Sequence, residues 1–156
     1  MKPLSRLLLT LLLITTTTAC SPDRNPTPFP SSLTDQLFAS DAFSEPLEEL
    51  DADLTWMLYG LEEAGLPRAS LTGAQSYRSS GATCEELALL TFTDEDSAQT
   101  AANTLDVYLT GQIQANRTYR PKEIPKLEQA FLERRGTTVL LMVASNYQAT
   151  HNVLAP

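Results

Sequence analysis

The chain has 156 residues, enough for one domain of ordinary size but too few for two domains of that size. Its 11 basic and 19 acidic residues give a formal net charge of −8, which argues against broad nucleic-acid binding and against electrostatic docking on anionic lipid. Two cysteines and one histidine are too few for a Cys/His zinc cluster, and we expect neither a metal nor another cofactor.

Residues 1–19 are predicted to be a lipoprotein signal peptide. Two basic residues precede the apolar run 7–14, which is too short to span about 30 Å of hydrocarbon as a helix. The segment 17–20 (TTAC) looks like a bacterial lipobox, and this resemblance implies that Cys20 is diacylated. The alternative is an ordinary secretory signal followed by a coincidental cysteine. We expect a protein held at the extracytoplasmic face of the cell membrane through diacylglyceryl-Cys20, since two acyl chains anchor stably.

Residues 20–32 are predicted to form an acylated, proline-rich tether. Four prolines in this stretch exclude a helix or a central strand and favour polyproline II, in which twelve residues reach roughly 37 Å. Cleavage would remove two basic residues and leave 9 basic against 19 acidic residues, a net charge of −10. A single folded domain is expected over residues 33–156.

The predicted elements of this domain alternate between helices and hairpins. In chain order we expect a short helix capped by Thr34, a helix from Leu47 to about Leu61, strands 74–79 and 86–93, a helix of about 20 residues capped by Thr93, a loop from Tyr119 to Glu128, strands 129–134 and 138–144, and a final helix from Ser145 or Asn146 to about Leu154. This order predicts an α+β fold, with an antiparallel sheet of about four strands, two β-hairpins each followed by a helix, and N-terminal helices packed on the sheet. A duplicated ββα unit stays open as an interpretation.

Three groups of residues carry a family resemblance. They are Tyr59-Gly60, then Ala82-Thr83 with Glu85-Glu86-Leu87-Ala88, and a Y-x-P-x-E-x-x-K-L-E-x-A pattern over residues 119–130, with Gln112 and Gly136 also matching. The segment from Leu47 to Leu154 resembles an uncharacterised lipoprotein family, a domain of unknown function found mainly in Gram-positive Firmicutes. The resemblance implies an exported, lipid-anchored protein and brings no established activity, ligand or catalytic residue.

Catalytic chemistry has two candidate sets of residues. Cys84 with His151 could form a thiol–imidazole pair, but Glu85 and Glu86 beside the thiol would raise its pKa. Carboxylates also cluster along the chain, where helix caps explain them better than a calcium site or an acid/base pair does. The clustered carboxylates are Glu45, Glu48, Glu49, Asp51 and Asp53, and then Asp94, Glu95 and Asp96.

The loop of residues 119–128 is the candidate partner surface. Tyr119, Lys122, Glu123 and Lys126 could meet a partner there, because loops on a rigid scaffold often carry binding sites. The alternative is a rigid connector with Tyr119 packed beneath it. We therefore predict a non-enzymatic module that binds an unknown protein partner in the cell envelope. The alternative function is an extracytoplasmic hydrolase that uses Cys84 and His151 or a carboxylate pair.

Overall fold

Residues 26–81 and 83–154, which a computed structural model describes, contain five β-strands and five α-helices. In chain order these are α1 (Leu33–Phe38), β1 (Glu48–Leu50), α2 (Ala52–Leu58), β2 (Leu71–Arg78), β3 (Glu86–Phe92), α3 (Glu95–Tyr119), α4 (Ile124–Glu128), β4 (Phe131–Arg135), β5 (Thr138–Val143) and α5 (Tyr147–Leu154). None of these helices is both long enough and apolar enough to cross a membrane.

The strands form one antiparallel sheet in the order β1-β2-β3-β5-β4. The predicted α+β class is confirmed, and the sheet has five strands where about four were expected. The two predicted hairpins are β2–β3 and β4–β5, and they join through their inner strands, where Leu89 lies opposite Leu140. The five successive apolar residues of β5 correctly predicted a central strand that is covered on both faces.

Each face of the sheet carries its own apolar core because side chains alternate along the strands. Leu90 of β3 and Leu141 of β5 pack against residues from α2, α3 and α4. Leu89 and Leu140 point to the other face, towards α1 and α5. The helices that follow the two hairpins, α3 and α5, therefore lie on opposite faces, and the two ββα units are not equivalent in structure.

The predicted helix from Leu47 to about Leu61 is wrong at its start. Residues Glu48–Leu50 form β1 and pair with the end of β2, and the helix begins only after Asp51. Asp51 caps α2 by accepting hydrogen bonds from the backbone amides of Asp53 and Leu54, at 2.9 and 2.8 Å. The apolar spacing also predicted that Met57 faces the core, but the residue is 64% exposed. Periodicity alone did not separate a three-residue edge strand from the helix that follows it.

Two other predicted features shift slightly. Asp94, rather than Thr93, caps α3 by accepting from the amide of Ser97 at 2.7 Å, and Thr93 donates its hydroxyl to Asp94. The helix has 25 residues and ends, as expected, before Pro121. The loop predicted from Tyr119 to Glu128 contains the five-residue helix α4, although its two prolines indicated a stretch without a helix.

Residues 26–32, the last part of the predicted tether, lie against the sheet. Phe29 is only 6% exposed, and its amide donates to the Thr138 hydroxyl at 2.9 Å. The Arg135 guanidinium carbon lies 4.3 Å from the centre of the Phe29 ring. A Cβ on Gly136, where φ is +54°, would come within 2.9 Å of Pro28. The packed part of the chain therefore begins before Leu33, because Phe29 is already buried in the core.

The two ends of the sheet carry different features. The end that we call the turn end holds the β4–β5 turn at Gly136 and the contact with Phe29. The opposite end, the loop end, holds the connection between β2 and β3 over residues 79–85. Helix α3 begins at the turn end and runs back, so that Arg120 after its last residue donates to the Thr83 carbonyl oxygen at 3.2 Å.

Candidate functional site

Two adjacent carboxylates are buried at the loop end of the sheet. Glu85 precedes β3 and Glu86 is its first residue, and they are 1% and 2% exposed. Alternation along the strand directs them to opposite faces. Burying a carboxylate is unfavourable unless hydrogen bonds or an opposite charge compensate it, so each must have partners.

Glu85 is held by a serine and a lysine from distant parts of the chain. It accepts from the Ser44 amide at 2.8 Å and from the Ser44 hydroxyl, and Lys126 Nζ lies 2.9 Å from its Oε1. Burial alone raises the pKa of Glu85, but the hydrogen bonds from Ser44 and Lys126 outweigh it and hold that pKa below its usual value. Glu85 is thus a buried anion at neutral pH.

Lys126 joins this buried anion to a second carboxylate. Its Nζ lies 3.0 Å from Glu123 Oε2, and the same oxygen accepts from the Cys84 amide at 2.9 Å. Burial lowers the pKa of Lys126, but its hydrogen bonds to Glu85 and Glu123 raise it by more. The lysine therefore stays charged and ties α4 to the start of β3.

Glu86 lies on the other face, between two tyrosines. The hydroxyls of Tyr59 and Tyr108 donate to its two oxygens, the second at 2.9 Å, and Arg78 Nε lies 3.8 Å away. Burial raises the pKa of Glu86, although the Tyr59 hydroxyl and the Arg78 charge act in the opposite direction. Burial also raises the pKa of both tyrosines, which keeps them protonated as donors.

A groove of about 360 Å³ opens beside these carboxylates. One wall is apolar and comes from β1 and α2, with Leu50, Leu54 and Leu58. The β2–β3 connection also lines the groove, and the charged groups of the lining are Arg78, Arg120 and Glu48. The groove therefore combines two guanidinium groups, which bind carboxylates and phosphates, with an aliphatic surface.

The thiol–imidazole pair is not assembled. Cys84 is buried in the core on the face that carries α3, whereas His151 is exposed on α5, which packs on the opposite face. Burial raises the pKa of the Cys84 thiol, and nearby Arg120 only partly offsets this effect. The predicted direction of this shift agrees with the structure, but its main cause is burial.

Four of the clustered carboxylates have clear structural partners. Asp51 and Asp94 cap helices, and Asp53 forms an ion pair with Arg68 at 2.8 Å. Glu45 accepts from the hydroxyls of Ser79 and Thr83, at 2.6 and 2.8 Å. Within the described part of the chain, no group of three or more His, Cys, Asp and Glu side chains is arranged to hold a metal ion.

The four predicted partner-surface residues fall into two pairs. Tyr119 is 86% exposed and Lys122 is also exposed, so Tyr119 is not packed beneath the loop. Glu123 and Lys126 are half-buried and belong to the network around Glu85. The use of these four residues as a partner surface stays a prediction. The predicted lipidation site, Cys20, lies outside the described residues.

Arg78 and Arg120 were missed as site residues by sequence reasoning. Arg78 is the last residue of β2 and Arg120 directly follows α3, and their meeting at one groove depends on the return of the long helix along the sheet. A usable signal was present in Glu85-Glu86, because two carboxylates directly before an apolar strand require partners when they are buried.

Comparisons with known proteins give one match. Residues 42–144 match the family model of a domain of unknown function, DUF4358. No curated protein and no solved structure is significantly similar to the chain. The matched range contains all five strands, both buried glutamates and the groove, and it covers more than half of the chain. The predicted domain of unknown function is thus confirmed, and the chain belongs to the DUF4358 family.

Proposed function

We propose that this chain is a lipid-anchored extracytoplasmic protein that binds a partner of the cell envelope without catalysing a reaction. The observation that carries this proposal is the groove at the loop end. Its charged lining is two guanidinium groups and one carboxylate. A guanidinium group does not give up its proton in proteins, so it serves to hold an anion and not to transfer protons.

The hydrolase alternative has weaker support. A cysteine nucleophile requires a base within hydrogen-bond reach and a lowered pKa. Cys84 has a raised pKa and lies on the face opposite the helix that carries His151. Glu86 is a buried carboxylate with a raised pKa, but both of its oxygens are already occupied by tyrosine hydroxyls.

The lipid anchor is supported by the signal-peptide pattern, and the position of Phe29 bears on how an anchored domain would be oriented. The chain enters the domain at the turn end, where Phe29 is fixed against Thr138. Even fully extended, the six peptide steps from Cys20 to Pro26 span at most about 22 Å. An acylated Cys20 would therefore hold the turn end near the bilayer and leave the loop end facing away from it.

Cys20→Ser should abolish both palmitate incorporation and partitioning into the detergent phase of a membrane extraction, because it removes the sulfur that would be acylated. Radiolabelled palmitate and phase separation, applied to the full chain in a bacterial host, measure the two effects. Cys84→Ser is the matched control and should keep both properties, since Cys84 is buried in the domain. Labelling that survives Cys20→Ser would refute the anchor.

A further inference from the structure

We propose that the groove binds the C-terminal carboxylate of a peptide whose last side chain is apolar, and that this peptide end belongs to the envelope partner. The identity of the occupant rests on the proposed binding function. Four properties of the groove support this occupant: the unused donors of its guanidinium groups, its net charge, its apolar wall and its place on the molecule.

The two arginines have unused capacity for an anion. Arg120 donates to the Thr83 carbonyl and also interacts with the Cys84 thiol, but within residues 26–81 and 83–154 it forms no ion pair with a carboxylate shorter than 4.0 Å. Arg78 has only a distant ion pair, at 3.8 Å, with a Glu86 carboxylate whose oxygens already accept from Tyr59 and Tyr108. Guanidinium groups recognise carboxylates through paired, charge-assisted hydrogen bonds.

The charge balance of the lining favours a single negative charge. Glu48 lies opposite Arg78 in the β1–β2 register and also lines the groove. Two arginines and one glutamate give the lining a formal charge of +1. A carboxylate carries one charge at neutral pH and would neutralise the lining, whereas a phosphate monoester carries about −1.5 to −2 and would leave an excess negative charge beside Glu48.

The apolar wall and the size of the groove indicate which chemical group accompanies the carboxylate of the occupant. Leu50, Leu54 and Leu58 line it, and Leu54 is about half exposed to solvent. A volume of about 360 Å³ lies near the lower limit of ordinary ligand pockets, which run from about 300 to 1,000 Å³. It suits one or two terminal residues whose last side chain rests on the leucines.

The place of the groove argues against the headgroups of the protein's own membrane. Phe29 and Gly136 lie at the turn end, and the groove lies at the opposite end of the sheet. The seven residues of β3 separate the two ends by about 20 Å, at about 3.4 Å per residue. With Cys20 acylated, the groove would face away from the bilayer, towards proteins of the envelope.

The test uses the full chain in non-ionic detergent and the fluorescence anisotropy of a dye-labelled peptide, Ala-Ala-Leu, with a free C-terminal carboxylate. The same peptide as its C-terminal amide is the matched probe. We expect the free acid to bind at least about tenfold more tightly than the amide, because charge-assisted hydrogen bonds are lost in the amide. Arg120→Gln should weaken binding of the free acid about tenfold, and Glu48→Gln should tighten it.

Arg117→Gln is the matched control, since it removes an exposed arginine of α3 that lies outside the groove, and it should leave binding unchanged. Equal affinities for acid and amide, or no effect of Arg120→Gln, would overturn the proposal. Displacement of the peptide by equimolar inorganic phosphate or by phosphatidylglycerol vesicles would overturn it as well. Cys20→Ser should bind the peptide normally, so failure of the anchor and failure of the groove are distinguishable.

Discussion

Replacing Lys126 with methionine is expected to lower the free energy of unfolding by about 3 kcal/mol, near the lower limit for breaking a buried ion pair. The change removes the cation from Glu85, which is almost fully buried, and from Glu123. Ser44 alone would then have to compensate the Glu85 charge. Urea denaturation at neutral pH measures the loss.

The pH dependence of this loss separates a charge effect from a packing effect. The lowered pKa of Glu85 means that its ion pair stabilises the wild-type protein above the unfolded-state pKa, and that this contribution disappears as the pH falls through the folded-state value. The difference between wild type and Lys126→Met should therefore shrink in acid. Lys122→Met makes the same charge change at an exposed position and should cost less than about 1 kcal/mol. A Lys126→Met loss as small as that of Lys122→Met would show that the ion pair contributes little.

Phe29→Ala is expected to cost about 3–4 kcal/mol, the range for truncating a buried aromatic side chain. Phe29 packs in the core between the sheet, α1 and α5, and Arg135 covers its ring. Thermal or urea denaturation of the full chain measures the effect. Phe38→Ala is the matched control and should cost less, because Phe38 is 37% exposed. A loss below about 1 kcal/mol for Phe29→Ala would mean that residues 26–32 serve as the tether that the proline pattern predicts.

The hairpins and the long helix could be predicted from the sequence because each leaves a local signal. Strand β5 has five successive apolar residues, and α3 has acidic residues at its start and Pro121 after its end. Strand β1 was missed because its three residues stand directly before a helix with a similar apolar spacing. The burial of Phe29 was missed because four prolines nearby indicate an extended chain and say nothing about its contacts.

The candidate site was less predictable because its contacts join residues far apart in the chain. Glu85 meets Ser44 and Lys126, each 41 positions away, and no periodic pattern marks these pairs. Sequence reasoning placed Lys126 on a possible binding surface because loops on a rigid scaffold often carry binding sites. In the fold its charge is used to compensate a buried glutamate. Arg120, by contrast, directly follows α3 and borders the groove. Among the described residues it forms no ion pair shorter than 4.0 Å.

The most direct test of the binding account is site-specific photo-crosslinking in living cells of the native host. A photoreactive benzoylphenylalanine at exposed Ser80 reports on the groove, and the same residue at exposed Asp96 reports on the start of α3 at the turn end. The account predicts a crosslink to an envelope protein from position 80 and not from position 96. Arg120→Gln should abolish this crosslink, and the double variant Cys84→Ala/His151→Ala should preserve it. A crosslink that is insensitive to Arg120→Gln but lost in the Cys84→Ala/His151→Ala variant would contradict the account.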